Sequence, residues 1–185
     1  MSDFDVWLST HRPDYQGVND RLKSAIAHFV LIWSYFEQQV LAPADRRLLT
    51  QNAQAMLPND VSNYDRIEEA ASYGVNDFTT MMQFRRAYKY FSKRHLDGVH
   101  ISAHLRELAR RAVNSTNRIE QVFRDDPDDY TQRIAALLHI AYCLRTNLIH
   151  GFKWESGLVG QEVNFYHASQ VLMLAVDYKM DPNEV

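Results

Sequence analysis

The chain has 185 residues, 46% hydrophobic and 23% charged, with a formal net charge of −3. These values are typical of one globular domain with a sizeable core, and six glycines and five prolines are few for an all-β protein of this length. The small negative charge does not by itself indicate nucleic-acid binding. A single cysteine, Cys143, and an N-terminus without a secretory pattern predict a cytoplasmic protein. No apolar run approaches the length of a membrane span, so no membrane association is expected.

Apolar residues at helical spacing predict an all-α protein, a single-domain bundle of about six to seven helices over residues 1–185. Residues 1–18, broken by Pro13 and Gly17, are predicted to be an irregular lead-in, and residues 180–185 a loose tail. A long helix is expected over 19–41, with a broad apolar face. The further predicted helices run, in chain order, over about 45–57, 64–73, 77–95, 101–123, from Pro127 to about 150, and 161–178.

The helix that starts near Pro127 ends in a distinctive group of polar residues. Its apolar positions stop near Gly151, a residue that can take the left-handed conformation that ends a helix. Arg145, Asn147 and His150 precede this glycine. A fixed cation beside a group that titrates near neutral pH suits chemistry on a phosphate.

The segment Arg145-Thr-Asn147-Leu-Ile-His150-Gly151 resembles the R-x(4–6)-H motif of HEPN domains, most closely the variant Arg-x-Asn-Leu-Phe-His-Gly. That resemblance implies a helical, usually dimeric fold and, as in many members, a metal-independent ribonuclease. It implies catalytic roles for Arg145 and His150, with Asn147 orienting the histidine or the phosphate. Glu37, on the long first helix, is the implied partner of Arg145. Such domains recur in toxin–antitoxin and phage-defence systems, so an antitoxin or a neighbouring defence protein is a possible partner.

The proposed chemistry also predicts the substrate and the assembly. RNA cleavage without a metal needs a base for the 2′-hydroxyl, an acid for the leaving oxygen and a cation for the charge that develops on phosphorus. One chain supplies one histidine in the motif, so a homodimer would bring two together, as the resemblance implies. DNA is not an expected substrate, because it lacks the 2′-hydroxyl.

A basic segment with interleaved aromatic residues precedes the motif. Arg86, Lys89 and Lys93 fall at spacings that can form a positive stripe on one helix. Further basic residues that would extend this surface toward the cleft are Arg106, Arg110, Arg111, Arg118 and Lys153. Such a surface could guide an RNA backbone, and the alternative is an ordinary solvated helix face.

Other sites and functions receive less support from the sequence. No metal site is expected, because no cysteine or carboxylate cluster completes the histidines near residue 100. No cofactor is expected either, since there is no glycine-rich nucleotide loop. Arg133 and His139 also fit the spacing of the motif, but no helix terminator follows them. The alternative function is a non-catalytic helical module that binds RNA or dimerises.

Overall fold

The computed structural model describes residues 2–12, 15, 17–41, 63–72, 78–97, 100–103, 105, 112–149 and 158–180. This part of the chain contains seven α-helices, which confirms the predicted all-α fold. They are α1 (Asp3–His11), α2 (Asp20–Phe36), α3 (Asn63–Ala71), α4 (Phe78–His95), α5 (Val113–Asp125), α6 (Tyr130–Ile149) and α7 (Glu162–Met180). The end of α2 continues as a π-helix over Glu37–Leu41, and two-residue strands β1 (Leu96–Asp97) and β2 (His100–Ile101) pair antiparallel after α4. None of the described helices is both long enough and apolar enough to cross a membrane.

Helix α6 lies at the centre of the bundle. Its residues from Ile134 to Ala141 are all buried, and it packs against α3, α4, α5 and α7. Helix α2 packs along α7, where the rings of Phe29 and Phe165 lie 5.2 Å apart. Cys143 is buried in α6, and burial raises the pKa of its thiol to about 12. The cysteine is therefore a small core residue and not a nucleophile.

The prediction of an irregular lead-in over residues 1–18 is wrong, because residues 3–11 form α1. A capping box starts this helix: the Ser2 hydroxyl accepts the Asp5 N–H, and the Asp5 carboxylate accepts the Ser2 N–H. The same carboxylate accepts hydrogen bonds from Lys23 on α2 (2.8 Å) and from the Tyr15 hydroxyl (2.7 Å). These bonds hold the pKa of Asp5 well below its usual range. The capping box therefore fixes the start of α1, and the Asp5 carboxylate joins this helix to α2.

Two helix predictions differ from the structure. Residues 103 and 105 of the helix expected over 101–123 are helical, but Ile101 belongs to β2 and Ala112 is not helical, so that α5 begins at Val113. The helix expected from Pro127 starts too early, because Asp126 adopts a left-handed conformation (φ 41°) and ends α5. Helix α6 starts three residues after Pro127, where the Asp129 carboxylate accepts the Thr131 N–H at 2.9 Å.

The other helix predictions agree with the structure where it describes them. The predicted helices over 19–41, 64–73, 77–95 and 161–178 correspond to α2 with its π-turn, α3, α4 and α7. The helix expected over 45–57 and the tail from 181 onward lie outside the described residues.

A polar network joins α6 to α3 and α5. His139 on α6 is fully buried; its Nε2 lies 3.0 Å from Glu68 Oε1 on α3, and its Nδ1 lies 3.1 Å from the Ser115 hydroxyl on α5. Arg118 donates two hydrogen bonds to Glu68, at 2.8 and 3.1 Å. Burial raises the pKa of Glu68, but the hydrogen bonds from His139 and Arg118 outweigh that effect and lower the pKa to about 2.

This network predicts a pH-dependent contribution of Glu68 to stability. Because the folded-state pKa lies below the ordinary value of about 4.5, the carboxylate stabilises the fold above that pH, and the contribution is lost as pH falls toward about 2. Glu68→Gln should lower the free energy of unfolding by about 1–3 kcal/mol at pH 7 and by much less at pH 3. Urea unfolding at both pH values measures this, with Glu69→Gln, an exposed neighbour on α3, as the matched control. Equal losses at both pH values would contradict the assignment.

Candidate functional site

Arg145 extends from the last part of α6 to the C-terminal end of α2. Its Nη2 lies 3.8 Å from Oε1 of Glu37, the residue that begins the π-helix. This is the contact that the family resemblance implies. The two side chains are 28% and 49% exposed, and the distance is longer than a hydrogen bond. The pair therefore orients the guanidinium loosely and leaves its other donors available.

Buried donors without partners collect around this arginine. The guanidinium carbon lies 6.0 Å from the centre of the Trp33 ring, which in turn packs against Tyr142. In the part of the chain that the structure describes, Arg145 Nε, Trp33 Nε1 and the Thr146 hydroxyl are buried and have no hydrogen-bond partner. Buried polar atoms are usually paired. Since the Arg145 side chain is 28% exposed, a phosphate could accept hydrogen bonds from the exposed part of the guanidinium, but not from the buried Nε.

Asn147 takes a different position from Arg145. It is 3% exposed and faces the interior of the bundle. Residues two apart on a helix do not share a face, so the buried amide and the guanidinium lie on different sides of α6. The structure thus places Asn147 where it can hold the helix end in place, and does not bring it to the exposed side of Arg145. His150, Lys153, Arg106, Arg110 and Arg111 lie outside the described residues.

The predicted basic stripe is exposed along α4. Arg86, Lys89 and Lys93 all face solvent, and the two lysines line a shallow cleft of about 330 Å³ with Phe123 and Asp126. Asp126 precedes the start of α6. Arg145 lies about 22 Å from the first residue of α6 along the helix axis, at a rise of about 1.5 Å per residue. The stripe and the motif arginine therefore sit toward different ends of α6.

Two basic residues considered in the sequence have other roles. Arg118 belongs to the Glu68 network and is mostly buried, so it does not extend the stripe. Arg133 lies over the Tyr88 ring and forms an ion pair with Asp126, away from the buried His139. The second pair with motif spacing, Arg133 and His139, therefore does not form a joint site.

The cluster of Ser115, His139 and Glu68 was not predicted from the sequence. Its one signal in the sequence is a histidine in the middle of an otherwise apolar helix, since a buried imidazole needs polar partners on the helices that face it. Among the described residues, no group of histidine, cysteine and acidic side chains is arranged to hold a metal ion.

Comparisons with protein-family models, with curated proteins and with solved structures find no match for this chain. Membership of the HEPN family therefore stays a prediction that rests on the motif. The fold and the position of Arg145 are compatible with it.

The loose geometry of the Arg145 pair predicts a small energetic role for Glu37. Glu37→Gln should change the free energy of unfolding by less than about 0.5 kcal/mol, because exposed ion pairs contribute little. Chemical denaturation of this variant beside Glu68→Gln measures the difference between the two carboxylates. A loss at Glu37 as large as that at Glu68 would show a strong pair in place of a loose one.

Proposed function

We propose that the protein is a metal-independent endoribonuclease of the HEPN type, active as a homodimer. The observation that carries the proposal is the state of Arg145: a guanidinium that is 28% exposed, held beside Trp33, with its Nη2 3.8 Å from Glu37. A guanidinium held in this way can bind a phosphate without first breaking a strong ion pair within the protein. His150 follows five residues later in the chain.

The proposed reaction is attack of a ribose 2′-oxygen on the adjacent phosphorus. A neutral His150 accepts the 2′-hydroxyl proton, and the protonated His150 of the second protomer donates a proton to the departing 5′-oxygen. Arg145 stabilises the negative charge that develops on the phosphoryl oxygens. The bond from phosphorus to the 5′-oxygen breaks as the bond to the 2′-oxygen forms, so that a cyclic phosphate and a 5′-hydroxyl are left.

Exposed apolar side chains support the dimer. On α7, Val163 (46% exposed), Tyr166 and Met173 line a cleft of about 630 Å³ against α2. Leu31 on α2 is 70% exposed. Apolar side chains collected on neighbouring helices favour burial against another chain.

The biological setting is proposed from the resemblance alone. A ribonuclease of this type would act in the cytoplasm in a stress response or in phage defence. An antitoxin or a neighbouring defence protein would then control it.

One observation favours the alternative of a non-catalytic RNA-binding module. The basic stripe lies toward the opposite end of α6 from Arg145, and an RNA bound only along α4 would not reach the guanidinium. Binding without cleavage would support this second function.

Variants of the motif provide the first functional test. His150→Ala should lower the rate of RNA cleavage by about 10² to 10⁴, because proton transfer by that group is lost. Arg145→Ala should cause a similar loss, and Arg145→Lys should restore only part of the rate, since an ammonium lacks the planar fork. Cleavage of mixed cellular RNA in EDTA, followed on a gel, measures these rates.

The control for these variants is His11→Ala, which removes an exposed histidine far from the motif in the chain. It should cleave at the wild-type rate. A His150→Ala protein that also cleaves at the wild-type rate would remove the catalytic assignment and favour the binding module.

The basic stripe should contribute to binding and not to the chemical step. Changing Arg86, Lys89 and Lys93 together to alanine should raise KM and flatten the dependence of RNA affinity on salt, with kcat nearly unchanged. The charge-matched control changes Arg12, Arg66 and Arg124, which lie on other helices or beside them. Equal affinity of both triple variants for RNA at low salt would show that the stripe is only a solvated face.

A further inference from the structure

Ser115, His139 and Glu68 form a second constellation, separate from Arg145. The Ser115 hydroxyl lies 3.1 Å from His139 Nδ1, and His139 Nε2 lies 3.0 Å from Glu68 Oε1. A hydroxyl, an imidazole and a carboxylate thus follow one another at hydrogen-bond distance. Nucleophilic serines are activated by this order of groups in many unrelated folds.

The charges around the histidine fix the direction of these hydrogen bonds. Two hydrogen bonds from Arg118 keep Glu68 ionised, so the carboxylate can only accept. A neutral His139 therefore donates from Nε2 to Glu68, and its Nδ1 carries the lone pair. The Ser115 hydroxyl then donates to Nδ1, which is the arrangement that prepares a serine oxygen for attack.

Ser115 also lies where a negatively charged oxygen would be stabilised. It is the third residue of α5, and no side chain caps this helix at Ala112. The N–H groups of a first helical turn have no partner within the helix and carry partial positive charge. They are the kind of donor that stabilises the oxyanion of a tetrahedral intermediate.

A small polar cleft opens at this helix end. It has a volume of about 280 Å³ and is lined by Asn63, Tyr64, Asn114, Ser115 and Tyr142, among others. Ser115 is one of the lining residues, although it is only 3% exposed. A cleft of this size and polarity suits a short acyl group attached to a small alcohol, and excludes a long aliphatic chain.

We propose that Ser115 is a nucleophile toward short-chain acyl esters, with His139 as its general base and Glu68 as a positioning residue. Ser115 Oγ forms a bond to the acyl carbon while its proton passes to His139 Nδ1. The bond from that carbon to the alcohol oxygen then breaks, and the alcohol leaves with the proton from His139. Water hydrolyses the acyl-serine in the same way, His139 taking a proton from the water and returning it to Ser115.

The position of Ser115 goes beyond what helix packing requires. Its hydroxyl gives the buried His139 Nδ1 a partner on α5, and the ion pair of Glu68 with Arg118 joins α3 to α5 without it. Ser115 also lines a cleft and lies in the first turn of a helix, and packing requires neither of these. Catalysis accounts for these positions together.

The first experiment uses p-nitrophenyl acetate and a fluorophosphonate reagent on the full chain. Wild-type protein should release nitrophenol and acquire one phosphonyl group on Ser115, identified by peptide mass mapping. Ser115→Ala should lower the hydrolysis rate by at least about 10²-fold and abolish the adduct. The matched control is Ser169→Ala, which removes another buried serine hydroxyl, one that has no hydrogen-bond partner among the described residues. An unmodified Ser115 in folded wild-type protein, or equal loss in both variants, overturns the proposal.

The positioning role of Glu68 has its own readout. Besides Glu68, the charged and titratable groups that the structure places around His139 are Arg118 on α5 and Tyr64 on α3. Glu68→Gln removes the carboxylate that holds Nε2 of the imidazole, so kcat should fall by about 10²-fold with KM nearly unchanged, and Glu68→Asp should restore part of the rate. A rise in KM with kcat unchanged, or no rescue by Glu68→Asp, would reduce Glu68 to a structural role and contradict this part of the proposal.

A second variant tests activation without relying on any ester substrate. Ser115→Cys places a thiol beside His139, while the native Cys143 is buried and its thiol has a raised pKa. Iodoacetamide should alkylate position 115 below pH 7, because the imidazole accepts the thiol proton. Alkylation that begins only above about pH 8, as for an ordinary thiol, would overturn base activation by His139.

Discussion

The burial of α6 on nearly every side is the constraint on which the rest of the structure depends. Eight consecutive residues from Ile134 to Ala141 are buried, and Cys143 and Leu144 follow them. Each fully buried aliphatic side chain contributes about 1.5–3 kcal/mol to stability relative to an exposed one. Helices α3, α4, α5 and α7 must all pack against this one element, so any polar side chain on α6 has to find its partner on one of its neighbours.

This requirement gives the molecule two polar regions of different character. His139 meets Glu68 and Ser115, on α3 and α5, whereas Arg145 meets Glu37 at the end of α2. Six residues separate the two along α6, about 9 Å of rise and about 240° of rotation. They therefore face different helices. The network around His139 is tightly hydrogen-bonded, and the region around Arg145 is loosely paired and retains unpaired donors. The network around His139 has the arrangement expected of an activated serine hydroxyl, and the region around Arg145 has the character expected of an anion-binding site.

Much of this architecture could be predicted from local patterns. The apolar spacing along this segment predicts α2 and its π-turn. Five of the residues on the predicted face are buried, Ile26 is partly buried and Val30 is exposed; the five are Leu22, Phe29, Trp33, Phe36 and Val40. The contact between Arg145 and Glu37 followed from the motif and its family resemblance. The start of α1 was missed because a capping box of Ser2 and Asp5 outweighs the nearby Pro13 and Gly17 as a local signal. The start of α6 was misplaced because Asp126 adopts a left-handed conformation, which is uncommon outside glycine even though asparagine and aspartate adopt it more often than other residues.

The network of Glu68, Ser115 and His139 could not be read from local patterns at all. Glu68 and His139 are 71 residues apart in the sequence, and Ser115 lies 24 residues from His139. Their meeting depends on how α3 and α5 cross α6, and periodicity fixes which face of a helix is buried but not how two helices cross. A histidine inside an apolar helix indicates that polar partners exist, and only the packing shows which ones.

The central functional claim is that the Arg145 and His150 motif supports attack by a ribose 2′-hydroxyl. Its most direct test compares an RNA oligonucleotide with the same oligonucleotide carrying a 2′-deoxy sugar at the cleaved position, in the presence of EDTA. We expect the RNA to be cut to a 2′,3′-cyclic phosphate and a 5′-hydroxyl, identified by mass spectrometry, and the deoxy substrate to remain intact at that position. Equal cleavage of both substrates, or cleavage that leaves a 5′-phosphate, would contradict it.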